Sequence, residues 1–253
     1  MADQITKAAT FKALHVRGQP VILFNVWDAG SAKAVAASGA KALATGSWSV
    51  AAAHGFDDGE HMPFDLAIAN LERIVAASDL PVTIDLESGY GDGPDEVGAN
   101  VARAVRAGAI GCNLEDGFRE STLRDAADQA ARLKGARAAA DRLGVRAFLN
   151  ARTDVFLIAS GDQHEGLVAT ALDRARAYAD AGADGFFVPG LADERLIARI
   201  VEGSTLPVNI MASGRTPAAA RLAELGVARI SHGPGPYRMA MKALEEAARA
   251  ALI

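Results

Sequence analysis

The sequence predicts an α/β fold, a (β/α)8 barrel of parallel strands. Three observations carry this reading. Short apolar runs rich in β-branched residues recur along the whole chain, hydrophobic on both faces as buried parallel strands are. Stretches of helical character separate them, at a spacing of about 25–35 residues that matches a βα unit. Glycine-ended phrases lead directly into several of the apolar runs: Ser38-Gly39-Ala40, Ala107-Gly108-Ala109, Ala181-Gly182-Ala183, Leu143-Gly144-Val145 and Leu225-Gly226-Val227. Glycine is the residue that ends a helix in the left-handed conformation, so each phrase reads as a helix end feeding a strand.

In order, a polar helix over 6–15 ends near Gly18, and 21–25 is the first strand. Asp28 stands where an N-cap belongs, ahead of an alanine-rich helix over 31–38. The second strand is 42–45, followed by a loop over 46–60. Pro63 opens a helix to 77, and 82–87 is the third strand. Pro94 starts a helix that ends at Gly108, before strand four at 110–114. A long helix over 122–143 leads to strand five at 145–151. Helix 164–181, strand 184–188, helix 192–202 and strand 206–211 follow. Helix 217–225, strand 227–231 and a last helix over 236–250 complete eight strands. A doubly wound sheet would need a glycine-rich dinucleotide turn after strand one, and Asn25-Val26-Trp27-Asp28 is not one.

The bulk composition narrows the function classes. With 253 residues, half of them apolar, the chain fills one barrel domain over 1–253. A net charge of −5 without a basic cluster argues against a nucleic-acid partner. No apolar run has the length of a membrane span, and the N-terminus lacks a secretory pattern. The single cysteine, Cys112, excludes an internal disulfide and fits a reducing compartment, so a cytoplasmic protein is expected.

In a barrel the active site lies at the carboxyl ends of the strands. Strand two ends at Thr45, Gly46, Ser47 and Trp48, strand three at Asp85 and Glu87, and strand four at Glu115 and Asp116. Strand five ends at Asn150 and Arg152, strand seven at Asn209, strand eight at Ser231 and His232. Asp85 and Glu87 are two residues apart, so on a continuous strand they point the same way. Like charges side by side are costly unless a cation lies between them. Asp85, Glu87 and Glu115, with no histidine or thiol beside them, favour Mg²⁺ or Mn²⁺ over Zn²⁺. Arg152 suits a two-pronged grip on a substrate carboxylate. The Gly46 and Ser47 amides suit an oxyanion, and Asn209 a further substrate contact. Asp28 reads as a cap, Asp116 as a supporting group, Cys112 as a core thiol, and His54 and His61 as solvated loop residues. His232 reads equally as turn packing or as a site residue. The run Gly233-Pro234-Gly235-Pro236 is a weak phosphate signal, because its prolines lack N–H donors.

Asp85-Leu86-Glu87-Ser88-Gly89-Tyr90-Gly91 resembles the Asp-x-Asp-x-Gly-Tyr-Gly signature of the isocitrate lyase / phosphoenolpyruvate mutase superfamily. Asn113-Leu114-Glu115-Asp116 and Asn150-Ala151-Arg152-Thr153-Asp154 resemble its strand-four and strand-five motifs. Gly55-Phe56-Asp57-Asp58 and Ala183 to Pro189 fit as well, so the resemblance runs through nearly the whole chain. It implies a barrel whose last helix is exchanged between subunits of a homodimer or homotetramer. It implies Mg²⁺ and substrates that are 2-oxo acids or yield them. By position, Asp85, Glu87 and Glu115 match the metal-site acids, the latter two partly through water. Gly46, Ser47 and Trp48 match the loop that holds the substrate's carboxylate and oxygen. Asp58 matches an acid that orients the metal site, and Arg152 the arginine that contacts substrate.

Three departures shape the expected chemistry. Glu87 stands where the family has aspartate. The loop Gly117-Phe118-Arg119-Glu120-Ser121 lacks the Lys-Lys/Arg-Cys-Gly-His run of the isocitrate and methylisocitrate lyases. Gly117 stands where the phosphonate branch has lysine. The expectation is a Mg²⁺-dependent lyase that breaks a C–C bond of a 2-oxo or 2-hydroxy acid through a pyruvate-type enolate, like oxaloacetate decarboxylase or methylisocitrate lyase. The alternatives are a phosphonate P–C bond enzyme, with Arg119 or His232 holding the phosphoryl group, and a barrel that binds an oxo acid without turning it over.

Overall fold

A computed structural model describes residues 2–118 and 122–252. Eight parallel strands form one sheet: β1 (Val21–Leu23), β2 (Leu43–Ala44), β3 (Val82–Asp85), β4 (Gly111–Glu115), β5 (Phe148–Arg152), β6 (Gly185–Phe187), β7 (Val208–Met211) and β8 (Arg229–Ser231). Their spatial order is β1-β8-β7-β6-β5-β4-β3-β2, so neighbours in sequence are neighbours in space. β1 and β2 meet through a parallel bridge between Val26 and Thr45, with Val26 N–H donating to Ala44 O at 2.8 Å. Asn25 staples this seam. Its Nδ2 donates to Thr45 O at 2.9 Å, and its Oδ1 accepts from the amides of His232 (2.8 Å) and Gly233 (2.9 Å). One buried side chain thereby ties the ends of β1, β2 and β8.

Ten α-helices pack around or beside the described sheet: α1 (Ala2–Ala13), α2 (Ala29–Ala37), α3 (Ser47–Ala53), α4 (Phe64–Ala76), α5 (Pro94–Arg106), α6 (Ala126–Arg142), α7 (His164–Asp180), α8 (Glu194–Gly203), α9 (Ala219–Glu224) and α10 (Gly235–Ala251). Asp28 caps α2 as expected: Ser31 N–H donates to its Oδ1 at 2.7 Å, and Ser31 Oγ accepts from Asp28 N–H at 3.1 Å. α1 packs against the amino end of β5, with Phe11 edge-on to Phe148 and His15 stacked on it at 4.0 Å. α5 and α6 approach closely at Gly98 and Gly135, where a methyl group on Gly135 would collide with the Pro94 carbonyl. No helix is long and apolar enough to cross a membrane among the described residues.

Three boundaries that bear on the site differ from the sequence reading. β3 stops at Asp85, because the chain leaves strand geometry and Glu87 takes a left-handed φ of 51°. Asp85 and Glu87 therefore do not share one strand face. The expected loop 46–60 contains α3, built on the alanines that follow Trp48. α6 starts at Ala126, where Asp125 accepts from Ala127 N–H at 2.8 Å. Thr122–Leu123 instead pairs antiparallel with Gly117–Phe118 in a hairpin. The last helix, α10, buries only Pro236 and leaves Met239 64% and Leu244 63% exposed.

Replacing Asn25 by alanine should strand the Gly233 N–H and the Thr45 carbonyl, while the His232 N–H keeps Leu23 O, at about 2–3 kcal/mol. For a chain of this size that lowers the melting temperature by about 5–10 °C. Thermal unfolding followed by circular dichroism checks it, and a shift under about 1 °C would show that the seam closes without the staple.

Candidate active site

A cavity of 240 Å³ opens at the carboxyl ends of the strands. On its β2–β5 side stand Ser47, Trp48, Asp58, Asp85, Asn113 and Arg152, with Gly46 behind them. Across from these, Leu157, Phe187, Pro189, Met211 and Pro234 form an apolar wall after β5 to β8. Gly46, Ser47, Trp48, Asp58, Asp85 and Arg152 are thus brought together as the sequence suggested. Glu87 and Glu115 instead line an adjoining, wider cavity of 740 Å³, and Glu87 also shares a small cavity with Asp85 and Ser47. Asn209 lies beneath the site, where its Oδ1 accepts from Ser231 Oγ at 3.1 Å, and Ser231 is the residue that faces the cavity.

Asp85 ends β3 and is the most telling acid. Its Oδ2 accepts from Ser47 Oγ at 3.1 Å and Ser47 N–H at 3.3 Å. Its Oδ1 is buried without a hydrogen-bond partner. A buried acceptor with no donor, facing other carboxylates, is the situation a hard cation relieves. The neighbouring acids carry the same signature. Burial first, and then the charge of Asp85, raise the pKa of Asp58. Burial, Asp58 and Asp85 push Glu87 up to about 7. Burial raises Glu115 despite the opposing Arg152. Among the described residues no three His, Cys, Asp or Glu side chains gather closely enough to cage a metal directly. Mg²⁺ keeps several waters and needs only one or two carboxylates, so Asp85 with Asp58 nearby suits it.

Arg152, at the end of β5, is held by acids, so its fork is not open for the expected two-pronged grip on a substrate carboxylate. Its Nη1 lies 2.6 Å from Glu115 Oε2, and its Nε and Nη2 fork onto Asp154 at 2.5 and 2.9 Å. These carboxylates keep the guanidinium charged against the cost of its burial. Asp154 N–H in turn donates to Asp116 at 2.9 Å. Asp116 is fully buried and accepts from Tyr178 Oη (2.7 Å) and Arg174 (3.0 Å), so it supports the site from below.

The expected oxyanion donors are engaged elsewhere. Gly46 N–H donates to Val26 O, and Ser47 N–H to Asp85. The phosphate signal after β8 also fails: Gly233 N–H is taken by Asn25 and Gly235 N–H by His232 O. His232 packs against Phe24 and does not line the cavity. Cys112 is buried in the core, which pushes its thiol up to about 12. His54 and His61 bond only to nearby carbonyls through Nδ1, those of Val50 and Asp58. Arg119 lies outside the described residues.

Several contributors were not picked out from sequence. Asn113 Oδ1 accepts from Asn150 Nδ2 at 2.9 Å and from the buried Arg229 at 3.2 Å, which turns its side chain into the cavity floor. An asparagine beside Glu115 carries the signal, but Arg229, within an apolar strand, carries none. Trp48 is flanked by α10: Tyr237 is edge-on at 6.0 Å, and the Arg238 guanidinium lies 4.5 Å from its ring centroid.

A family model described as phosphoenolpyruvate phosphomutase matches residues 11–252. A Mycobacterium tuberculosis H37Rv protein described as uncharacterised is 37% identical over 242 residues, 95% of this chain and 88% of its own length. The oxaloacetate decarboxylase of Pseudomonas fluorescens SBW25 is 33% identical over 188 residues, 70% of this chain and 61% of its own length. A solved structure from Burkholderia cenocepacia J2315, provisionally described as a phosphonomutase, is 58% identical with a TM-score of 0.95, covering 98% of this chain and 99% of that one.

The raised acids fix a pH dependence. Glu87 holds its proton up to about pH 7 in the folded chain, against 4.5 ordinarily. Between those values the folded state binds more protons than the unfolded one, so stability falls as pH rises through this window. With a chelator present, chemical denaturation should show that fall between about pH 5 and 8, and excess Mg²⁺ should flatten it. Stability that climbs over the same range without metal would contradict the acid cluster.

Proposed function

The chain belongs to the phosphoenolpyruvate phosphomutase family, in the isocitrate lyase / phosphoenolpyruvate mutase superfamily, and on that premise we propose that it is a Mg²⁺-dependent carbon–carbon lyase acting on a small 2-oxo or 2-hydroxy acid. The observation that carries the reading is the partnerless, buried Asp85 Oδ1 among acids that repel one another. Asp85, with Asp58 beside it and Glu115 further out, would hold the ion, while both oxygens of Glu87 are taken by Gly59, Glu60 and Tyr90. Bound Mg²⁺ supplies Lewis-acid stabilisation of the negative charge that appears when the bond breaks.

The remaining chemistry belongs to the protein's own groups. Arg152, locked by Glu115 and Asp154, presents a permanent positive charge toward the carboxylate end of the substrate. Ser47 fixes the orientation of Asp85 through its hydroxyl and amide. The wall of Leu157, Phe187, Pro189 and Met211 faces the other end. A leaving carboxylate loses its hydration against such a wall, whereas neutral CO2 does not, which favours decarboxylation of an oxaloacetate-like acid. The enolate left behind takes its proton from solvent, in keeping with the absence of Cys and His from 117–121.

The second reading, P–C bond chemistry, draws on the description of the Burkholderia cenocepacia structure. Against it, Arg152 is the one cation among the described cavity residues, and a phosphonate brings a phosphoryl group as well as a carboxylate for it to balance. Steady-state assays with oxaloacetate, methylisocitrate and phosphonopyruvate, each with Mg²⁺ or with chelator, separate the two. Oxaloacetate turnover should need metal, and Asp85→Asn should lower kcat/KM by about 10²–10³. Turnover that survives chelation, or a preference for phosphonopyruvate, sinks the lyase reading.

A homodimer or homotetramer is part of the proposal. α10 leaves Met239, Met241 and Leu244 exposed on a helix that buries only Pro236, a surface suited to a second copy. Sedimentation should give an oligomer, and Leu244→Glu should dissociate it. A wild-type monomer at micromolar concentration would refute this part.

A further inference from the structure

Among the described residues, Glu60, Glu87 and Tyr90 are the only non-glycine residues with left-handed backbone, at φ of 64°, 51° and 53°. They are bonded to one another. Glu87 Oε2 accepts from the amides of Gly59 (2.8 Å) and Glu60 (2.5 Å), and its Oε1 accepts from Tyr90 Oη at 3.0 Å. Glu60 Oε1 returns the link, accepting from Tyr90 N–H and Ser88 Oγ at 2.7 Å each. Arg132, fully buried on α6, holds the other side of this turn through the Ser88 and Gly91 carbonyls at 2.6 and 2.7 Å. Such backbone persists only where surrounding bonds over-determine it, and it concentrates at functional sites.

The clasped segment is short, and Asp58 is the residue just before Gly59. Asp58 lines the substrate cavity; Glu87 does not, and lines instead the wider adjoining cavity and a small one shared with Asp85 and Ser47. An aspartate at 87 would have one methylene less with which to reach the Gly59 and Glu60 amides. We propose that Glu87 is a positioning residue: with Glu60 and Tyr90 it clasps the 57–61 segment across the β3 turn and so holds the Asp58 carboxylate over the cavity. Its carboxylate serves the loop through its acceptor oxygens, and its charge is not what the cation site requires of it. This rests on reading the cavity as the metal and substrate site.

Three variants and two measurements test it, neither of which needs turnover. Amide exchange of the segment 55–62 reports the clasp, and Mn²⁺ titration of the substrate-free protein reports Asp58. Glu87→Ala should speed exchange at Gly59 and Glu60 by about tenfold or more, the scale of a lost hydrogen bond to a charged group. It should weaken Mn²⁺ binding by no more than Asp58→Asn does, and the double variant should match Asp58→Asn alone, because the two act in series. Glu87→Gln keeps a carbonyl oxygen for both amides and should preserve both protection and Mn²⁺ affinity within about threefold. If Glu87→Gln loses Mn²⁺ affinity while its exchange stays protected, the charge matters and the proposal is overturned. It is overturned equally if Glu87→Ala exchanges like the wild type. Should Glu87→Ala fail to fold, Glu60→Ala, which removes the reciprocal link to Tyr90 N–H and Ser88 Oγ, carries the exchange measurement: faster exchange at Gly59 supports the clasp, and unchanged exchange overturns it. A wild-type protein that turns over no oxo acid would remove the proposed activity and leave these two readouts intact.

Discussion

A buried carboxylate must find donors, and the carboxyl ends of β3, β4 and β5 crowd several of them together. Much of the surrounding architecture follows from how each is satisfied. Asp116 takes Tyr178, Arg174 and a backbone amide. Asp154 and Glu115 share Arg152. Glu87 takes two amides and a tyrosine hydroxyl from its neighbouring turns. Asp85 alone of this group retains a buried oxygen with nothing bound to it. An acid left incomplete beside acids that are otherwise satisfied is a place where a fold gives up stability for chemistry.

This pairing also sets the character of the cavity. With Arg152 held on both sides by acids, the polar half is rigid and electrically patterned, while the half after β6 to β8 is apolar. On the proposed reading, the carboxylate and oxygen that stay with the product would face β3 and β5, and the group that leaves would face Phe187 and Met211. Trp48, held between Tyr237 and Arg238, makes the start of α10 part of the cavity's support on the β2 side.

The barrel was legible in the sequence because its signals are local and repeated: glycine-ended helices, β-branched strands and caps such as Asp28. The position of the site followed from the barrel itself. What escaped was decided by partners distant in the chain. Glu87 looked like the companion of Asp85 because a strand was extended two residues too far; the amides of Gly59 and Glu60, some 28 residues away, turn it aside. The Gly46 and Ser47 amides looked free because the bridge to Val26 and the reach of Asp85 are tertiary facts. Arg229 was invisible among apolar neighbours, since only Asn113 across the barrel, a contact of the folded chain, reveals why a cation is there.

The seam at Asn25 has a meaning beyond geometry. A sheet that fails to close presents two raw borders, rows of unmatched amides and carbonyls able to recruit another chain. β1 and β2 are short, and a single bridge joins them, so the asparagine that binds Thr45, His232 and Gly233 is also what keeps those borders from strangers. A chain with this seam undone would expose edges open to pairing with its own copies, so the same side chain that closes the barrel also guards against association.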